Sequence, residues 1–353
     1  MSSTSFSGKL AGSGARFAMY AGAEAPLAFA SPQAEFRALR GGSALLDLSW
    51  RAKLVLTGED RSRWLNGMVT NNTRDLPLNQ GNYNFVLNPQ GRIQGDLVAY
   101  NRGDHFLLST DREQVRAMRE FFDRHIIMDD VEVTDISEKL ASIAVVGPAS
   151  GQLLDRAGVT LPELQPYQVH NFVWNGIGLT AARGPALVAG FEFWMHPDNA
   201  ALLWDGLLAA GAVAAGTVAW EWLLISLGLP RFGIDIRERD LPQETGQQHA
   251  LHFAKGCYVG QEIVERIRSR GNVHRVFAGF RVQGAAPRPG AKIECGGQPV
   301  GEITSAASIP ALAAEDSAIT LALGYIRREA AAPGTEVKIG PDLARVESLP
   351  FSI

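Results

Sequence analysis

One segment of the 353-residue chain brings a nucleophile, a cation and two glycines together: Lys255-Gly256-Cys257-Tyr258-Val259-Gly260-Gln261-Glu262. It runs directly into Ile263-Val264-Glu265-Arg266-Ile267-Arg268-Ser269-Arg270-Gly271. The second stretch has the spacing of a short amphipathic helix, with Ile263, Val264 and Ile267 on one face and charges on the other. Glu262 and Arg266 are four apart, in the order that favours a helical ion pair. Gly271 stands where a left-handed cap takes glycine. The first stretch then reads as a turn, because Gly256 and Gly260 permit a tight bend or a close approach. Cys257 falls just before the helix N-terminus and near the Lys255 ammonium, and both the dipole and the cation favour thiolate. The alternative is a buried small hydrophobe, which is how most free cysteines behave. Local chemistry alone favours that alternative.

Other chemistries have weaker signals. His249 and His252 are near enough in sequence to join Cys257 in a thiol or metal site, but their spacing fits no common zinc pattern. The chain has two cysteines, Cys257 and Cys295. That excludes a disulfide framework, suggests a reducing compartment, and is too few thiols for a structural zinc or an iron–sulfur cluster held by one chain. Cys295, in Glu294-Cys295-Gly296-Gly297, reads as structural or incidental. No nucleotide-binding glycine loop is present, since Gly12-Ser13-Gly14 precedes no strand–helix unit. Trp64, Trp194, Trp204 and Trp222 read as core anchors.

Composition sets the class. A hydrophobic share of 46% with 20% charged residues is ordinary for a soluble globular protein. The formal charge of −4 gives no basic footprint, so nucleic-acid binding is not expected. The most apolar region, residues 207–229, is interrupted by Glu221. Its uncharged part, residues 206–220, falls short of the ~20 residues a bilayer span needs. It reads as a buried helix–loop–helix, with no direct membrane contact. The stretch from Ser2 to Ala15 is polar and Gly/Ser-rich, without the apolar core of a secretory signal. It reads as a disordered tail, and the chain as cytoplasmic.

The elements that must position these residues follow from periodicity. A helix ends at Gly41-Gly42, and strands cover residues 44–48 and 53–57. A helix holds Trp64, Leu65 and Met68. Residues 83–87 and 93–100 form a hairpin across Asn88-Pro89-Gln90-Gly91. A strand at 105–109, a helix at 113–125 and a strand at 131–134 follow. The middle repeats this grammar: strand 141–146, helix 149–157, a hairpin around Asn175-Gly176, strand 191–195, and helices at 197–210 and 219–227. Such strand-pair-and-helix alternation indicates an α+β fold with largely antiparallel sheets. From Arg275 onward short strands separated by Gly/Pro/Ala turns suggest a small β-barrel or sandwich, with a boundary near residue 272.

The octet 255–262, followed by Arg266, Arg268 and Gly271, resembles the signature of the YgfZ-type folate-binding-like proteins, relatives of the glycine-cleavage T-protein (aminomethyltransferase). Gly228-Leu229-Pro230-Arg231-Phe232-Gly233-Ile234-Asp235-Ile236 and Leu241-Pro242-Gln243-Glu244 agree with it. So do Leu46-Asp47-Leu48-Ser49, Asn88-Pro89-Gln90-Gly91-Arg92-Ile93, Val300-Gly301-Glu302-Ile303-Thr304-Ser305 and Gly324-Tyr325-Ile326-Arg327. The resemblance implies a T-protein-like three-domain ring: two ferredoxin-like α+β domains plus a C-terminal β-barrel. Residues 1–50 with 140–272 would form a discontinuous α+β domain, 51–139 an inserted α+β domain, and 273–353 the barrel.

The resemblance also implies tetrahydrofolate as cofactor, with Tyr83, Asp96, Glu192 and Arg231 binding it. Asp96 matches the T-protein's catalytic aspartate, Tyr83 a tyrosine near the folate, and Glu192 the carboxylate that receives the pterin's amino nitrogens. Read without the resemblance, Asp96 and Glu192 are ordinary strand-end charges. The chain departs from the T-protein where Leu224-Ile225-Ser226-Leu227 replaces an Arg-Leu-Glu-Ala run and Pro185 a folate-stacking tyrosine. Arg231 would then be a substitute cation for the folate's glutamate tail. The T-protein has no cysteine matching Cys257. The leading expectation is therefore a factor supporting iron–sulfur cluster assembly or repair, and through it tRNA modification, with Cys257 and Lys255 as its reactive pair and client or assembly proteins as partners. The alternative is a folate-dependent aminomethyltransferase or demethylase in which Asp96 orients or deprotonates the amine.

Overall fold

A computed structural model describes residues 5–271, 273–311 and 318–353. The chain divides into two compact units. One comprises Met1–Asn66, Asn72–Asn84 and Leu97–Trp220; the other comprises Gly67–Asn71, Phe85–Asp96 and Glu221–Ile353. The sequence boundary near residue 272 falls on a position outside the described residues.

The first unit is built on a six-stranded sheet. Its spatial order is Val169–Trp174, Ile177–Arg183, Gly190–Met195, Ala141–Val146, Ala44–Asp47 and Val213–Ala214. The first five strands pair antiparallel, and the first two form the expected hairpin. Asn175 and Gly176 both take positive φ, as a tight hairpin turn of this hand requires. All four residues of Ala44–Asp47 are buried, the mark of a strand covered on both faces. The helix Ala200–Ala209 lays Leu203, Trp204 and Leu207 onto Leu45, Ile143 and Phe193.

Two sequence expectations change here. The disordered tail is instead a helix, Ser5–Gly12, whose Phe6 and Leu10 are 6% and 1% exposed within that same core. Phe6 meets Trp204 edge-on at 5.6 Å. Two apolar residues four apart outweigh the Gly/Ser content around them, because tertiary burial stabilises a short helix more than propensity does. Residues 1–4 of that tail lie outside the described residues. The apolar stretch 207–229 is not a simple helix–loop–helix either. Its link contains the strand Val213–Ala214, which pairs parallel with Ala44 and Leu45. Glu35, fully buried on the helix Pro32–Gly41, closes this corner by accepting hydrogen bonds from the Phe29, Ala30 and Gly216 amides.

A five-stranded antiparallel sheet runs in the order Gly81–Leu87, Ile93–Asn101, Phe106–Asp111, Arg51–Thr57, Glu132–Asp135. The helix Arg112–Asp123 keeps Met118, Phe121 and Phe122 buried at helical spacing. The C-terminal strands Arg275–Val282, Ile319–Arg327, Gln298–Ile309, Lys292–Cys295, Glu336–Ile339 and Asp342–Glu347 close into a six-stranded barrel. Phe280, Ile293, Ile303 and Ile326 are fully buried in its interior. The α+β fold ending in a barrel is thus observed. Among the described residues no helix is long and apolar enough to cross a membrane.

The N-terminal helix gives a direct test of this packing. Leu10→Ala should cost about 2–5 kcal/mol in denaturant unfolding, the range for deleting a buried leucine side chain. Lys9→Ala, which removes only an exposed pair with Asp205, should change stability by less than about 1 kcal/mol.

Candidate functional site

The thiol loop is held by a second segment of its own unit, residues 67–71. The Val259 amide donates to the Gly67 carbonyl at 3.0 Å, and the His252 amide to the Thr70 carbonyl at 3.1 Å. Thr70 Oγ1 donates to the Ala250 carbonyl at 2.7 Å, and Asn71 Nδ2 to the His249 carbonyl at 2.8 Å. Gly260 enters the helix Gln261–Arg270 with φ +81°, and a Cβ there would stand 2.6 Å from the Asn88 carbonyl oxygen. Across the same contact, a Cβ on Gly91 would meet Ile263 Cβ at 2.7 Å. The helix ends as expected, with Gly271 at φ +80° and its amide bonded to the Ile267 carbonyl.

Within this brace Cys257 is exposed and its thiol is free, which overturns the buried-hydrophobe alternative. Lys255 has partners the sequence did not suggest. Its Nζ donates to the Val69 and Asn71 carbonyls and lies 4.9 Å from the centre of the Tyr258 ring. Burial pushes the ammonium down to about 7. Both carbonyl bonds survive deprotonation, because a neutral amine keeps two N–H groups. Lysine here is a clamp on the 67–71 segment. The expected Glu262–Arg266 ion pair is not formed. Glu265 pairs with Arg268 at 3.4 Å instead, and Arg266 lines a cavity of about 790 Å³ with Asn88, Arg92, Leu241 and His274. Among the described residues no group of three or more His, Cys, Asp or Glu side chains is arranged to hold a metal ion.

The first unit holds a second polar cluster. Arg51 and Lys53 project from one face of Arg51–Thr57, directly opposite Asp111 and Ser109 on the neighbouring strand. Arg51 pairs with Asp111. Lys53, with its side chain 0% exposed, donates to Ser109 Oγ at 2.9 Å and to Glu192 Oε1 at 2.7 Å. Glu192 comes from the other sheet, on Gly190–Met195, and is 17% exposed. Trp194 packs beneath, 5.3 Å from Lys53 Nζ at its centroid, and edge-on to Tyr100 at 5.0 Å. Its indole N–H leans toward the Glu192 carboxylate without completing a hydrogen bond. Burial pushes the Glu192 carboxyl up, but Lys53 and Arg51 outweigh it and hold the group below the usual range.

The predicted residues thus fall in two places. Tyr83, half-buried on Gly81–Leu87, and Glu192 belong to the first unit. Asp96, half-buried on Ile93–Asn101, and Arg231, Lys255 and Cys257 belong to the second. Arg231 pairs with Glu221, with its side chain 13% exposed. Lys53, Arg51, Ser109 and Asp111 were not singled out from sequence. The available signal was a lysine two residues from an arginine inside an otherwise apolar strand, a position that strands bury only with a partner.

With this geometry in view, comparison with known proteins gives the class. Residues 6–255 match the GCVT N-terminal domain, and residues 275–351 match the glycine cleavage T-protein C-terminal barrel domain. The chain belongs to the glycine cleavage T-protein family. It is similar to an aminomethyltransferase of Rubrobacter xylanophilus, 32% identical over 96% of this chain and 91% of that protein. An aminomethyltransferase of Shouchella clausii is 29% identical over 96% and 94%. The crystal structure of the glycine cleavage system aminomethyltransferase T from Bartonella henselae superposes with a TM-score of 0.86, covering 98% of this chain and 97% of that one at 22% identity. That likeness establishes the fold.

Two measurements check the thiol loop. In native protein a soluble alkylating reagent should label Cys257 well before half-buried Cys295, and Cys257→Ser should abolish the fast phase. The pH dependence of stability isolates Lys255. The unfolded side chain holds its proton to about pH 10.4, the folded one only to about 7. Between those values the unfolded state binds more protons, so this group makes stability rise with pH; below about 7 its contribution is constant. Lys255→Met should remove that part of the rise in denaturation curves taken from about pH 7 to 10.

Proposed function

We propose that the chain is a tetrahydrofolate-binding protein of the YgfZ type, supporting iron–sulfur cluster assembly or repair through the Cys257 thiol. The observation that carries this reading is the exposure of Cys257 on a loop whose backbone is bonded into residues 67–71. A thiolate donates a lone pair to iron or to an electrophilic sulfur, and a fixed loop presents it without an ordering cost. Client or assembly proteins bearing the cluster are the partners this reading calls for.

The folate half rests on Glu192. Its Oε1 accepts from Lys53, and its side chain is 17% exposed. The carboxylate is reachable and the ammonium behind it is sealed. An ionised acceptor presented in this way fits the planar N–H edge of a pterin. Tyr83, in the same unit as Glu192, is the further residue this reading assigns to the cofactor. When bound, tetrahydrofolate accepts one-carbon units; Glu192 orients the ring.

A second reading, a folate-dependent aminomethyltransferase or demethylase, is favoured by the names of the similar proteins. It calls for tetrahydrofolate and for Asp96 as base or amine-orienting group.

Titration of the purified protein with tetrahydrofolate should show saturable binding, weakened at least about tenfold in Glu192→Gln, the loss expected for a charged hydrogen bond. No binding by the wild type would remove the folate half. In cells lacking the native protein, Cys257→Ala should fail to restore cluster-enzyme activity; full restoration would sink the thiol role. Release of a one-carbon unit from a small amine to tetrahydrofolate, lost in Asp96→Asn and retained in Cys257→Ala, would favour the second reading instead.

A further inference from the structure

The cavity beside the helix Gln261–Arg270 has a mixed wall, and neither reading above uses it. We infer that it binds a small amphipathic anion, an apolar body ending in a carboxylate or a phosphate, with Arg92 and Arg266 holding the charged end. This goes beyond the proposed function and does not rest on it. Every lining residue belongs to the second unit, and Glu192 belongs to the first.

Three segments build the cavity, and each is fixed by its own bonds. Asn88 closes the turn that carries Arg92: its Oδ1 accepts from the Gln90 and Arg92 amides, both at 3.0 Å. Its own amide donates to the Arg92 carbonyl at 2.9 Å. Arg92 Nη1 donates onward to the Arg239 carbonyl. Gln243 Nε2 donates to the Val264 carbonyl at 2.9 Å, which ties residues 241–244 to the helix. Gly91 meets Ile263 with no room for a Cβ, so the turn is seated directly on the helix. A volume of about 790 Å³ lies within the range of small-molecule pockets, and fixed walls spare a ligand the cost of ordering them.

The lining specifies the ligand. Leu241, Ile263, Ile267 and Val273 line the cavity and are each only half-buried. An apolar body is favoured there by the area it removes from water. Charge comes from Arg92 on the turn and Arg266 on the helix. Arg266 stands four residues after Glu262, where a helical ion pair could form, yet it lines the cavity instead. Neither arginine makes an ion pair among the described residues. Glu244 is the only carboxylate among the described lining residues, and it is already taken. Arg275 Nε and Nη2 donate to its two oxygens at 3.2 and 3.0 Å, and the Leu241 amide adds a bond at 3.1 Å. His274, which is exposed, completes the polar part of the wall. A guanidinium presents a fork that matches a carboxylate or a phosphate, so an acid head finds two donors here and a cation finds no free carboxylate in the lining.

Calorimetric titration of the full chain with octanoate, octyl phosphate and octan-1-ol separates head from body, and carboxylate from phosphate. At least one of the two acids should bind saturably and at least about tenfold tighter than octan-1-ol. The tighter acid identifies the head group. Arg266→Gln and Arg92→Gln should each weaken that acid at least about fivefold while leaving octan-1-ol within about twofold. Arg266 is exposed, so its substitution keeps the fold, which circular dichroism checks; it decides alone should Arg92→Gln not fold. Arg268→Gln makes the same charge change on the same helix but off the lining, and should leave all three ligands unchanged. Glu192→Gln should leave the acid unchanged as well. Acids bound no tighter than octan-1-ol, or an equal loss in Arg268→Gln, overturn the inference, since the two arginines are then only a solvated rim. Loss of the acid in Glu192→Gln also overturns it, by putting the acid at the carboxylate assigned to the folate. Failure of tetrahydrofolate to bind would sink the folate reading alone.

Discussion

A lysine buried between two sheets sets a strong constraint on the first unit. Lys53 comes from the five-stranded sheet and Glu192 from the six-stranded one, and each is tolerable only because the other is there. Removing one partner of such a pair costs about 3–5 kcal/mol, since the survivor is left charged and dry. The neighbouring register follows from the same need: Arg51 stands opposite Asp111 and Lys53 opposite Ser109, so a slip of one residue would turn both cations away from their partners. Tyr100 and Trp194 fill the remaining space edge-on. The polar cluster and the packing around it are therefore one solution.

Much of the architecture could be read from the chain itself, because local pattern carries it. Asn175-Gly176 marked a hairpin, Asn88-Pro89-Gln90-Gly91 marked another, and alternating short strands after Arg275 marked the barrel. What escaped had distant partners. Glu35 looks like a solvent-facing charge on an amphipathic helix, yet it is buried because three amides from two other loops converge on it. Lys53 looks like an edge charge until the partner strand arrives from 139 residues away. At the thiol loop the turn and helix were legible, but the carbonyls that hold the Lys255 ammonium lie about 185 residues earlier in the chain and were not. The N-terminal helix escaped for a different reason: its composition argued for disorder while its two apolar residues, four apart, argued for packing.

Family membership and site chemistry carry different information here. The T-protein family accounts for the sheets and the barrel along nearly the whole chain. It does not by itself explain an exposed cysteine in a chain with one other, half-buried, thiol. A fold supports many chemistries, and the functional distinction rests on the few residues that differ at the site. The Cys257 loop itself has no slack: amides, a threonine hydroxyl, an asparagine side chain and a lysine all tie it to residues 67–71.

The glycine pair at the root of that loop has an evolutionary consequence. Gly260 and Gly91 let the thiol loop and the 88–91 hairpin turn touch backbone to backbone, with no room for a side chain on either. Neither segment can then drift alone, because a side chain gained on one is felt at once by the other. The turn and the loop behave as a single heritable part carried by two distant stretches of sequence. Transplanting the thiol loop into a relative would require moving the turn with it.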